Sequence, residues 1–251
     1  MTYEEKMNLL IDGKYPLAAK YSPEWMYENK MGCQCLWLAE SLARAMTLRP
    51  GMRVLDLGCG KALTAIFLAK EFGVTVFATD LWISASDNWK RIKDAKVEHL
   101  VFPLHADVHA LPYANVFFDA IVCINSFQFY GTSDTFLADY IAHLLRPDGE
   151  FGLAMWGPDK EFGTGVPPPL QQGWWPDFYY FHSLDWLRWH FEKTGLFEVV
   201  MGDDLEGDGL RVTQQWAKVM DKYDETHDNG IMRWNRLVAR RNQLQAEDLR
   251  K

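Results

Sequence analysis

The sequence predicts an α/β fold in which a mostly parallel sheet carries helices on both faces. Apolar runs of strand length alternate with helix-like runs from about residue 52 onward, a pattern typical of parallel sheets. The run Phe118–Ile124 is apolar almost throughout, as expected of a strand buried on both faces. Gly58 and Gly60 directly follow the first apolar run, where a strand would turn into a helix.

Five strands are predicted in the first part of the chain, each an apolar or β-branched run bounded by polar or turn-forming residues. They are Met52–Leu57, Val74–Thr79, Val97–Pro103, Phe118–Ile124 and Glu150–Trp156. The runs between them have helical length and pattern, and the predicted helices are Lys61–Phe72, Ile83–Ala95 and Asp134–Leu145. A turn is expected at Arg146–Gly149, which contains proline and glycine. Residues 4–12 and 23–47 are predicted to form helices ahead of the sheet.

The regular alternation stops after Trp156. Residues 157–182 combine glycine and proline clusters with many aromatic side chains. A long loop in a compact domain is usually functional or disordered, and this aromatic content disfavours disorder. The segment is therefore predicted to be a lid over a binding pocket or an insertion that faces the substrate, and it is called the lid below.

Two further strands and more helix are predicted after the lid. Ser183 has the character of a helix N-cap. The predicted elements are a helix at Ser183–Thr194, strands at Phe197–Met201 and Leu210–Trp216, and mostly helix from there to Lys251 with a break at 228–230. Arg233, Arg236 and Arg240 have helical spacing and are predicted to form a solvated face.

Composition narrows the classes of partner. The net charge of −8 over 251 residues disfavours binding to nucleic acid or to an anionic membrane surface. No signal peptide and no transmembrane run is predicted, so no membrane partner is expected. Cys33 and Cys35 have no second cysteine or histidine pair at zinc-finger spacing, so no metal site is predicted. The cysteine pattern favours a reducing, cytoplasmic setting.

The strand-to-helix turn carries the main chemical signal. Glycines there let the backbone approach a ligand and leave helix N-terminal N–H groups facing it. Lys61, Ala62 and Leu63 follow Gly60, so the third glycine of a dinucleotide fingerprint is missing. Asp56 at the strand end would repel a pyrophosphate but would suit a ligand with an amino group. An ordinary tight turn and a dinucleotide fold with a degenerate fingerprint remain as alternatives.

This turn resembles the first motif of the class I S-adenosylmethionine-dependent methyltransferases, an acidic residue followed by Gly-x-Gly. The strand Phe118–Asn125 and the turn before Glu150 are also similar to that family, in its small-molecule, type-11-like branch. The resemblance implies a Rossmann-like, seven-stranded sheet whose last strand is antiparallel. It also implies one methyltransferase domain over 1–251, divided into an N-terminal helical cap (1–48), a cofactor-binding core (49–156), the lid (157–182) and a part that completes the sheet and adds C-terminal helices (183–251).

The expected cofactor is S-adenosyl-L-methionine, with S-adenosyl-L-homocysteine as the product. An acidic residue where Asp80 stands can accept hydrogen bonds from both ribose hydroxyls. The resemblance implies that Asp107 accepts from the adenine amino group and that Leu81 or Val108 packs on the ring. It also implies that an aromatic near the start, Tyr21, or the turn 30–32, covers the methionine end. The full predicted cofactor set is Tyr21, Asp56, Gly58, Cys59, Gly60, Asp80, Leu81, Asp107, Val108, Asn125 and Ser126.

A small-molecule acceptor is expected on the other side of the cofactor. Asn125-Ser126-Phe127-Gln128 lacks the prolines of the [DN]-P-P-[YF] motif found in enzymes that methylate nucleic-acid bases. Aromatic side chains of the lid would suit a sulfonium or an amine through cation–π contact. The predicted substrate-binding residues are Phe127, Gln128, Trp174, Trp175 and Tyr179. A general base, where one is needed, is predicted to be Tyr130, His182 or His109.

Two other functions are compatible with the same residues. One is a non-catalytic S-adenosylmethionine-binding interaction module, and the other is a nicotinamide oxidoreductase on a related fold. A homodimer is also compatible with the sequence.

Overall fold

The computed structural model describes residues 1–174, 176–221 and 230–243 of the chain. The strands are β1 (Arg53–Leu57), β2 (Thr75–Asp80), β3 (Val101–His105), β4 (Phe118–Ile124), β5 (Leu145–Pro158), β6 (Phe197–Asp203) and β7 (Met232–Arg241). The α-helices are α1 (Tyr3–Leu9), α2 (Pro23–Asn29), α3 (Cys35–Ala45), α4 (Leu63–Phe72), α5 (Ala85–Asp94), α6 (Leu184–Glu192) and α7 (Gly209–Val219).

In the described part of the chain, the strands form one seven-stranded sheet in the order β3-β2-β1-β4-β5-β7-β6. β7 is antiparallel to both of its neighbours, and the remaining neighbours pair in parallel. The predicted mostly parallel sheet with an antiparallel last strand is therefore confirmed. The strand order reverses between β1 and β4, and ligands of such sheets bind at the carboxyl ends of the strands near this point.

Helices cover both faces of the sheet, as predicted. In β1, Val54 packs into a core with α3, α4 and α7, whereas Leu55 and Leu57 pack into a second core with α6. Successive strand residues point to opposite faces, so this division means that each face of β1 is covered by helices. A strand covered on both faces needs apolar residues at every position, which explains why β1 and β4 could be recognised in the sequence.

The prediction for the C-terminal third was wrong about two elements. Residues 210–216 were predicted as a strand, but they belong to helix α7, and the last strand is β7, which lies in a segment predicted to be helical. The buried positions of α7 recur every three to four residues, which is the helical period. They are Gly209, Val212, Thr213, Trp216, Ala217 and Val219.

The predicted arginine face is also wrong. Arg236 lies in β7 between two strands and is only 5% exposed. Its guanidinium donates to both carboxylate oxygens of Asp203, at 2.8 and 2.9 Å, and to the Ser41 carbonyl oxygen at 2.6 Å. It also donates to Glu206 at 2.9 Å. An arginine that is paired in this way can occupy the interior of a sheet, where an unpaired one could not.

Three smaller differences concern helix continuity. The predicted helix 23–47 is two helices, α2 and α3, separated by residues 30–34. The predicted helix Asp134–Leu145 is reduced to a π-helical turn at Leu137–Ile141, and the turn at 146–149 is an irregularity within β5. The first two residues of the predicted break, 228 and 229, and residues 244–251 lie outside the described residues.

Among the described residues, no helix has the length and apolar character needed to cross a membrane.

Candidate functional site

A cavity of about 510 Å³ lies at the carboxyl ends of the central strands. Its wall includes the glycine turn after β1, the end of β2, the residues after β4, and parts of α7, β7 and the lid. The turn between α2 and α3 also contributes through Met31 and Gly32. Small-molecule sites typically measure roughly 300–1,000 Å³ and occur at this position in parallel sheets, so the cavity is the candidate site.

The glycine turn presents bare backbone to the cavity. Gly58 has a φ of +73°, and a Cβ built there would lie 2.4 Å from the Ser126 Oγ. A Cβ on Gly60 would lie 2.9 Å from the Met31 sulfur. The N–H groups of Gly58 and Cys59 both donate to the Thr79 carbonyl oxygen at 2.9 Å, which ties the turn to β2. Only glycine fits at Gly58, because the conformation and the space both exclude a side chain.

Asp80 is held rigidly beside this turn. Its carboxylate accepts from the Gly60 N–H at 2.8 Å through Oδ2, and from the N–H groups of Trp82 and Ile83 at 2.7 and 2.9 Å through Oδ1. It is 7% exposed and lines the cavity. Each carboxylate oxygen accepts about two hydrogen bonds, so Oδ1 is fully used and Oδ2 can accept one more, for example from a ribose hydroxyl.

Asp56 lies beneath the turn and does not line the cavity. It is 1% exposed, and neither of its carboxyl oxygens has a hydrogen-bond partner among the described residues. Burial, with a smaller contribution from Asp80, raises the pKa of Asp56 to about 8. The carboxyl group is therefore largely protonated at neutral pH in this structure.

A buried polar cluster supports the glycine turn from behind. The Ser126 Oγ and the Tyr130 hydroxyl donate to the Leu57 carbonyl oxygen at 2.8 and 3.0 Å, and they lie 2.8 Å from each other. Cys123 Sγ is 3.1 Å from Ser126 Oγ. Burial raises the pKa of Tyr130 well above its usual value. Neither Ser126 nor Tyr130 lines the cavity. Tyr130 is therefore not placed to act as a base there.

Two residues after β4 do reach the cavity. Asn125 lines it with a φ of 50°, and Gln128 lines it while donating through Nε2 to the Asn125 carbonyl oxygen at 3.0 Å. Phe127 is fully buried and stacks on Phe191 in the core, with ring centroids 5.7 Å apart. Of the two neighbouring residues predicted here to bind substrate, Phe127 and Gln128, only Gln128 is at the wall.

The residues predicted to contact adenine lie outside the cavity lining. Asp107 accepts from the His109 N–H at 2.9 Å and so caps the short helical turn Val108–Ala110. Val108 is buried in the core, whereas Leu81 is 53% exposed. Their contact with a bound nucleoside stays a prediction. Trp82, which sequence reasoning missed, does line the cavity and contacts Phe129 edge-on at 4.9 Å.

Tyr21 is not brought to the cavity either. Its hydroxyl bonds Glu71 at 3.2 Å, and its ring packs on Trp25 and Phe67. The alternative that the sequence offered, the turn containing Met31 and Gly32, is at the wall instead.

The two histidines proposed as bases also lie elsewhere. His109 pairs with Asp107 at 2.7 Å, and its ring contacts Tyr140 at 4.9 Å on the outer surface. His182 contacts Glu161 at 3.0 Å and stacks on Trp186 with ring centroids 3.6 Å apart. Neither residue lines the cavity.

The lid contributes to the cavity through other residues than those predicted. Trp174 packs inside the lid on Phe178, and Tyr179 is exposed beside it, while Trp175 lies outside the described residues. The lid residues at the wall are Asp177, Tyr180 and Phe181. Other parts of the chain supply three tryptophans that the sequence did not single out, Trp156, Trp216 and Trp234. Trp216 and Trp234 come from the two elements whose structure was mispredicted.

The residues present fit S-adenosylmethionine. Gly58 and Gly60 line the cavity with backbone that carries no side chain, and a Cβ on Gly60 would meet Met31 at the wall. Asp80 offers a fixed carboxylate for a ribose hydroxyl, and the aromatic wall suits a sulfonium. The cavity volume accommodates a nucleoside-sized ligand.

Comparison with known proteins agrees with this fit. A family model described as a methyltransferase domain matches residues 54–149. The chain is 32% identical over 210 residues to 27-O-demethylrifamycin SV methyltransferase of Amycolatopsis mediterranei, which covers 77% of this chain and 70% of that protein. It is 30% identical over 118 residues to methyltransferase GfsG of Streptomyces halstedii, covering 47% of this chain and 42% of GfsG.

The fold is similar to that of solved methyltransferases. Geranyl diphosphate C-methyltransferase from Streptomyces coelicolor A3(2) superposes with a TM-score of 0.69 at 14% identity, covering 93% of this chain and 85% of that one. The chain spans about half the length or less of several curated relatives, 42%, 54% and 34% in three of them. The match over most of the rifamycin methyltransferase is the broadest of those described. The chain therefore belongs to the family of S-adenosylmethionine-dependent methyltransferases.

Proposed function

We propose that this chain transfers a methyl group from S-adenosylmethionine to a small-molecule acceptor by direct displacement. The observation that carries the proposal is one cavity with two kinds of wall. One part is the glycine turn with Asp80, and the other is a set of aromatic rings from the lid, α7 and β7. A cofactor and an acceptor would therefore meet in one enclosed space.

When bound, S-adenosylmethionine supplies a methyl group already activated on a sulfonium sulfur. The chain's own contribution is binding, alignment and exclusion of water. Gly58, Gly60 and Asp80 would hold the nucleoside part, and the aromatic wall would orient the acceptor. Alignment of two reactants can lower a barrier by about 7–11 kcal/mol, which is a large share of what such a reaction needs.

The kind of acceptor is supported by the relatives. The rifamycin methyltransferase is named for a small molecule, and the geranyl diphosphate enzyme was solved with its small-molecule substrate. The lid of this chain contributes Asp177, Tyr180 and Phe181 to the cavity wall. These observations favour a small acceptor over a macromolecule.

Two further properties belong to the same proposal. A cytoplasmic setting is supported by the four cysteines, which are free in the described part of the chain. A homodimer stays compatible with the fold.

Calorimetric titration with S-adenosylmethionine, S-adenosylhomocysteine and NADH in parallel tests the proposal. Binding of the first two and no binding of NADH is expected. Binding of NADH alone would favour the nicotinamide oxidoreductase over the methyltransferase. Binding of the sulfur nucleosides without methyl transfer to any member of a broad acceptor collection would favour the non-catalytic interaction module.

A further inference from the structure

Two cysteine thiols lie in contact beside the cavity. Cys33 Sγ is 3.1 Å from Cys35 Sγ, and both residues are free cysteines. Cys35 lines the cavity and is partly exposed, whereas Cys33 is only 1% exposed. The proposed methyl transfer uses neither thiol.

The backbone between the two cysteines holds their side chains together. Gln34 has a φ of −82° and a ψ of 78°, which is close to the central residue of an inverse γ-turn. Such a turn brings its first and third residues near each other, here Cys33 and Cys35. Sulfur atoms are about 2.05 Å apart in a disulfide, so these two need to approach by about 1 Å to form one.

The two thiols differ in reactivity. The contact with Cys35, and then burial, raise the pKa of Cys33 well above its usual value. The thiolate is the reactive form, so a buried and protonated Cys33 is not the thiol that a reagent meets first. Cys35 is partly exposed at the cavity, where a small molecule can reach it. Redox-sensing sites combine an accessible thiol with a neighbouring thiol that resolves the first product, and this pair has that arrangement.

The segment that carries the thiols also forms part of the cavity wall. Met31 and Gly32 line the cavity just before Cys33. A Cβ on Gly60 would lie 2.9 Å from the Met31 sulfur, so Met31 packs against the glycine turn. The Gly32 carbonyl oxygen accepts from Trp216 Nε1 at 3.0 Å. A movement of the backbone at the cysteines therefore reaches the wall where the cofactor is proposed to bind.

We propose that Cys33 and Cys35 form a reversible dithiol–disulfide couple at the cavity wall, and that its oxidation weakens cofactor binding. The oxidant is a low-molecular-weight disulfide that enters at Cys35. The effect on the cofactor rests on the proposed function, whereas formation of the disulfide does not.

The reaction is two thiol–disulfide exchanges. Cys35 loses its proton to water, and its thiolate attacks one sulfur of the small disulfide. The S–S bond of the reagent breaks, and one half leaves as a thiolate that takes up a proton. Cys33 then loses its proton and attacks the Cys35 sulfur, and the second half leaves in the same way. Two protein thiols are oxidised by two electrons, and one small disulfide is reduced to two thiols.

Peptide mass spectrometry tests the couple directly. The folded full chain is equilibrated with oxidised or reduced glutathione, alkylated and digested with trypsin. Trypsin cleaves after lysine and arginine, so both thiols fall in the peptide Met31–Arg44. With excess oxidised glutathione this peptide should lose two hydrogen atoms and escape alkylation, and excess reduced glutathione should reverse the change. Cys123, which is 0% exposed, should stay a free thiol in both and serves as the internal control.

Two matched variants identify the thiol that is attacked first. Cys33→Ala leaves the accessible thiol without its resolving partner, so a mixed disulfide of Cys35 with glutathione should accumulate. Cys35→Ala leaves only the buried thiol and should take up no glutathione. Thermal unfolding in reduced glutathione checks that each variant keeps the fold.

Calorimetry tests the effect on the cofactor. Oxidation of the unchanged chain should weaken S-adenosylhomocysteine binding by about fivefold or more, while Cys35→Ala should bind equally in reduced and oxidised glutathione. Because such couplings are reciprocal, saturating S-adenosylhomocysteine should lower the equilibrium constant for oxidation by the same factor. Failure of S-adenosylhomocysteine to bind the reduced chain would contradict the proposed function, and the peptide masses would still decide whether the couple exists.

Other results overturn the inference. Absence of the disulfide in excess oxidised glutathione, or a disulfide that excess reduced glutathione leaves intact, would contradict a reversible couple. Equal S-adenosylhomocysteine affinity in the two states would remove its effect on the cofactor. Equal uptake of glutathione by Cys33→Ala and Cys35→Ala would contradict entry at Cys35.

Discussion

Asp56 and Asp80 show how two nearby carboxyl groups take different roles. Asp80 receives three backbone N–H groups and lines the cavity, whereas Asp56 is buried without a partner among the described residues. Several N–H bonds fix a carboxylate in one orientation, whereas a buried carboxyl group without them is costly to ionise. Asp80 is thus the residue prepared for a ligand, and Asp56 is a buried group whose ionisation opposes folding.

The raised pKa of Asp56 predicts a pH dependence of stability. An unfolded aspartate titrates near 3.9, and the folded value is about 8. Between these values the folded chain binds one more proton than the unfolded chain, so the free energy of unfolding falls as pH rises. Asp56→Asn cannot ionise, so its stability relative to the unchanged chain should rise from about pH 5 to pH 8. Urea unfolding at several pH values measures this difference, and Asp94→Asn at an exposed position is the control. If the free energy of unfolding of Asp56→Asn ran parallel to that of the unchanged chain across this pH range, the prediction would be refuted.

Replacement of Asp80 should weaken cofactor binding. Asp80→Ala removes an acceptor for the ribose and the anchor of the Gly60 N–H, so S-adenosylhomocysteine affinity should fall by about 1.5–3 kcal/mol. Calorimetry measures the loss, and Asp94→Ala, an exposed aspartate at the end of α5, should leave affinity unchanged. Equal affinities in all three proteins would remove the ribose assignment.

Gly58 and Gly51 both have left-handed backbone, so comparing their alanine variants separates the effect of backbone strain from the effect of steric exclusion at the turn. Gly58 and Gly51 have φ values of +73° and +84°, but a Cβ on Gly51 meets nothing within 4 Å. Both alanine variants should lose about 1–2 kcal/mol of stability from the unfavourable backbone. Gly58→Ala should also lose about tenfold or more in S-adenosylhomocysteine affinity, because its Cβ would collide with the Ser126 Oγ behind the turn and shift the turn from its position. Calorimetry measures the S-adenosylhomocysteine affinity of both variants. Equal affinities would show that the turn at Gly58 does not approach the ligand.

At the residue scale, the sequence could identify site residues that directly follow a strand. Gly58, Gly60 and Asp80 stand next to strand ends, so their place at the cavity could be predicted. Trp216 and Trp234 carry no such local signal, because their position depends on how distant elements pack. Tyr130 and His182 were plausible bases by residue type, but their hydrogen bonds engage them away from the cavity.

At the scale of elements, β1 to β5 followed from apolar runs, whereas β7 did not. β7 pairs with β5 and β6 and contains buried polar residues such as Asn235 and Arg236. A strand with buried charge shows neither alternation nor an apolar run, so the sequence pattern could not identify it. The helix α7 was missed because its segment is mixed in composition.

The paired arginine of β7 should matter for stability. Arg236→Ala leaves Asp203 and Glu206 without their partner, and the expected loss is about 3 kcal/mol in the free energy of unfolding. Arg240→Ala on the same strand is the control, since Arg240 is half-exposed and its contact with Glu150 is 3.4 Å long, so about 1 kcal/mol or less is expected. Urea unfolding measures both, and equal losses would mean that the buried network adds nothing.

The lid should loosen without loss of the cofactor site. Phe178 is 3% exposed and packs with Leu170, Trp156 and Trp174, so Phe178→Ala removes the centre of the lid cluster. Faster proteolysis within 157–182 is expected, with S-adenosylhomocysteine affinity kept within about threefold. Tyr179→Ala, which changes an exposed neighbour, should digest like the unchanged chain. A collapse of cofactor affinity in Phe178→Ala would contradict the separation of lid and cofactor site.

At the scale of the whole molecule, the topology assembles the site from distant segments. The reversal of strand order between β1 and β4 opens a crevice, and the N-terminal turn at Met31, helix α7, strand β7 and the lid close it. The motif near Gly58 predicted the floor of this cavity, and the walls could be known only from the fold.

The central claim is that one cavity holds the cofactor against the glycine turn and leaves an aromatic chamber for the acceptor. A crystal structure of the complex with S-adenosylhomocysteine tests it most directly. The account predicts a ribose hydroxyl within hydrogen-bond distance of Asp80 Oδ2 and the sulfur facing Asn125, Gln128 and the tryptophans. A ligand bound away from the glycine turn, or one that fills the aromatic chamber itself, would contradict it.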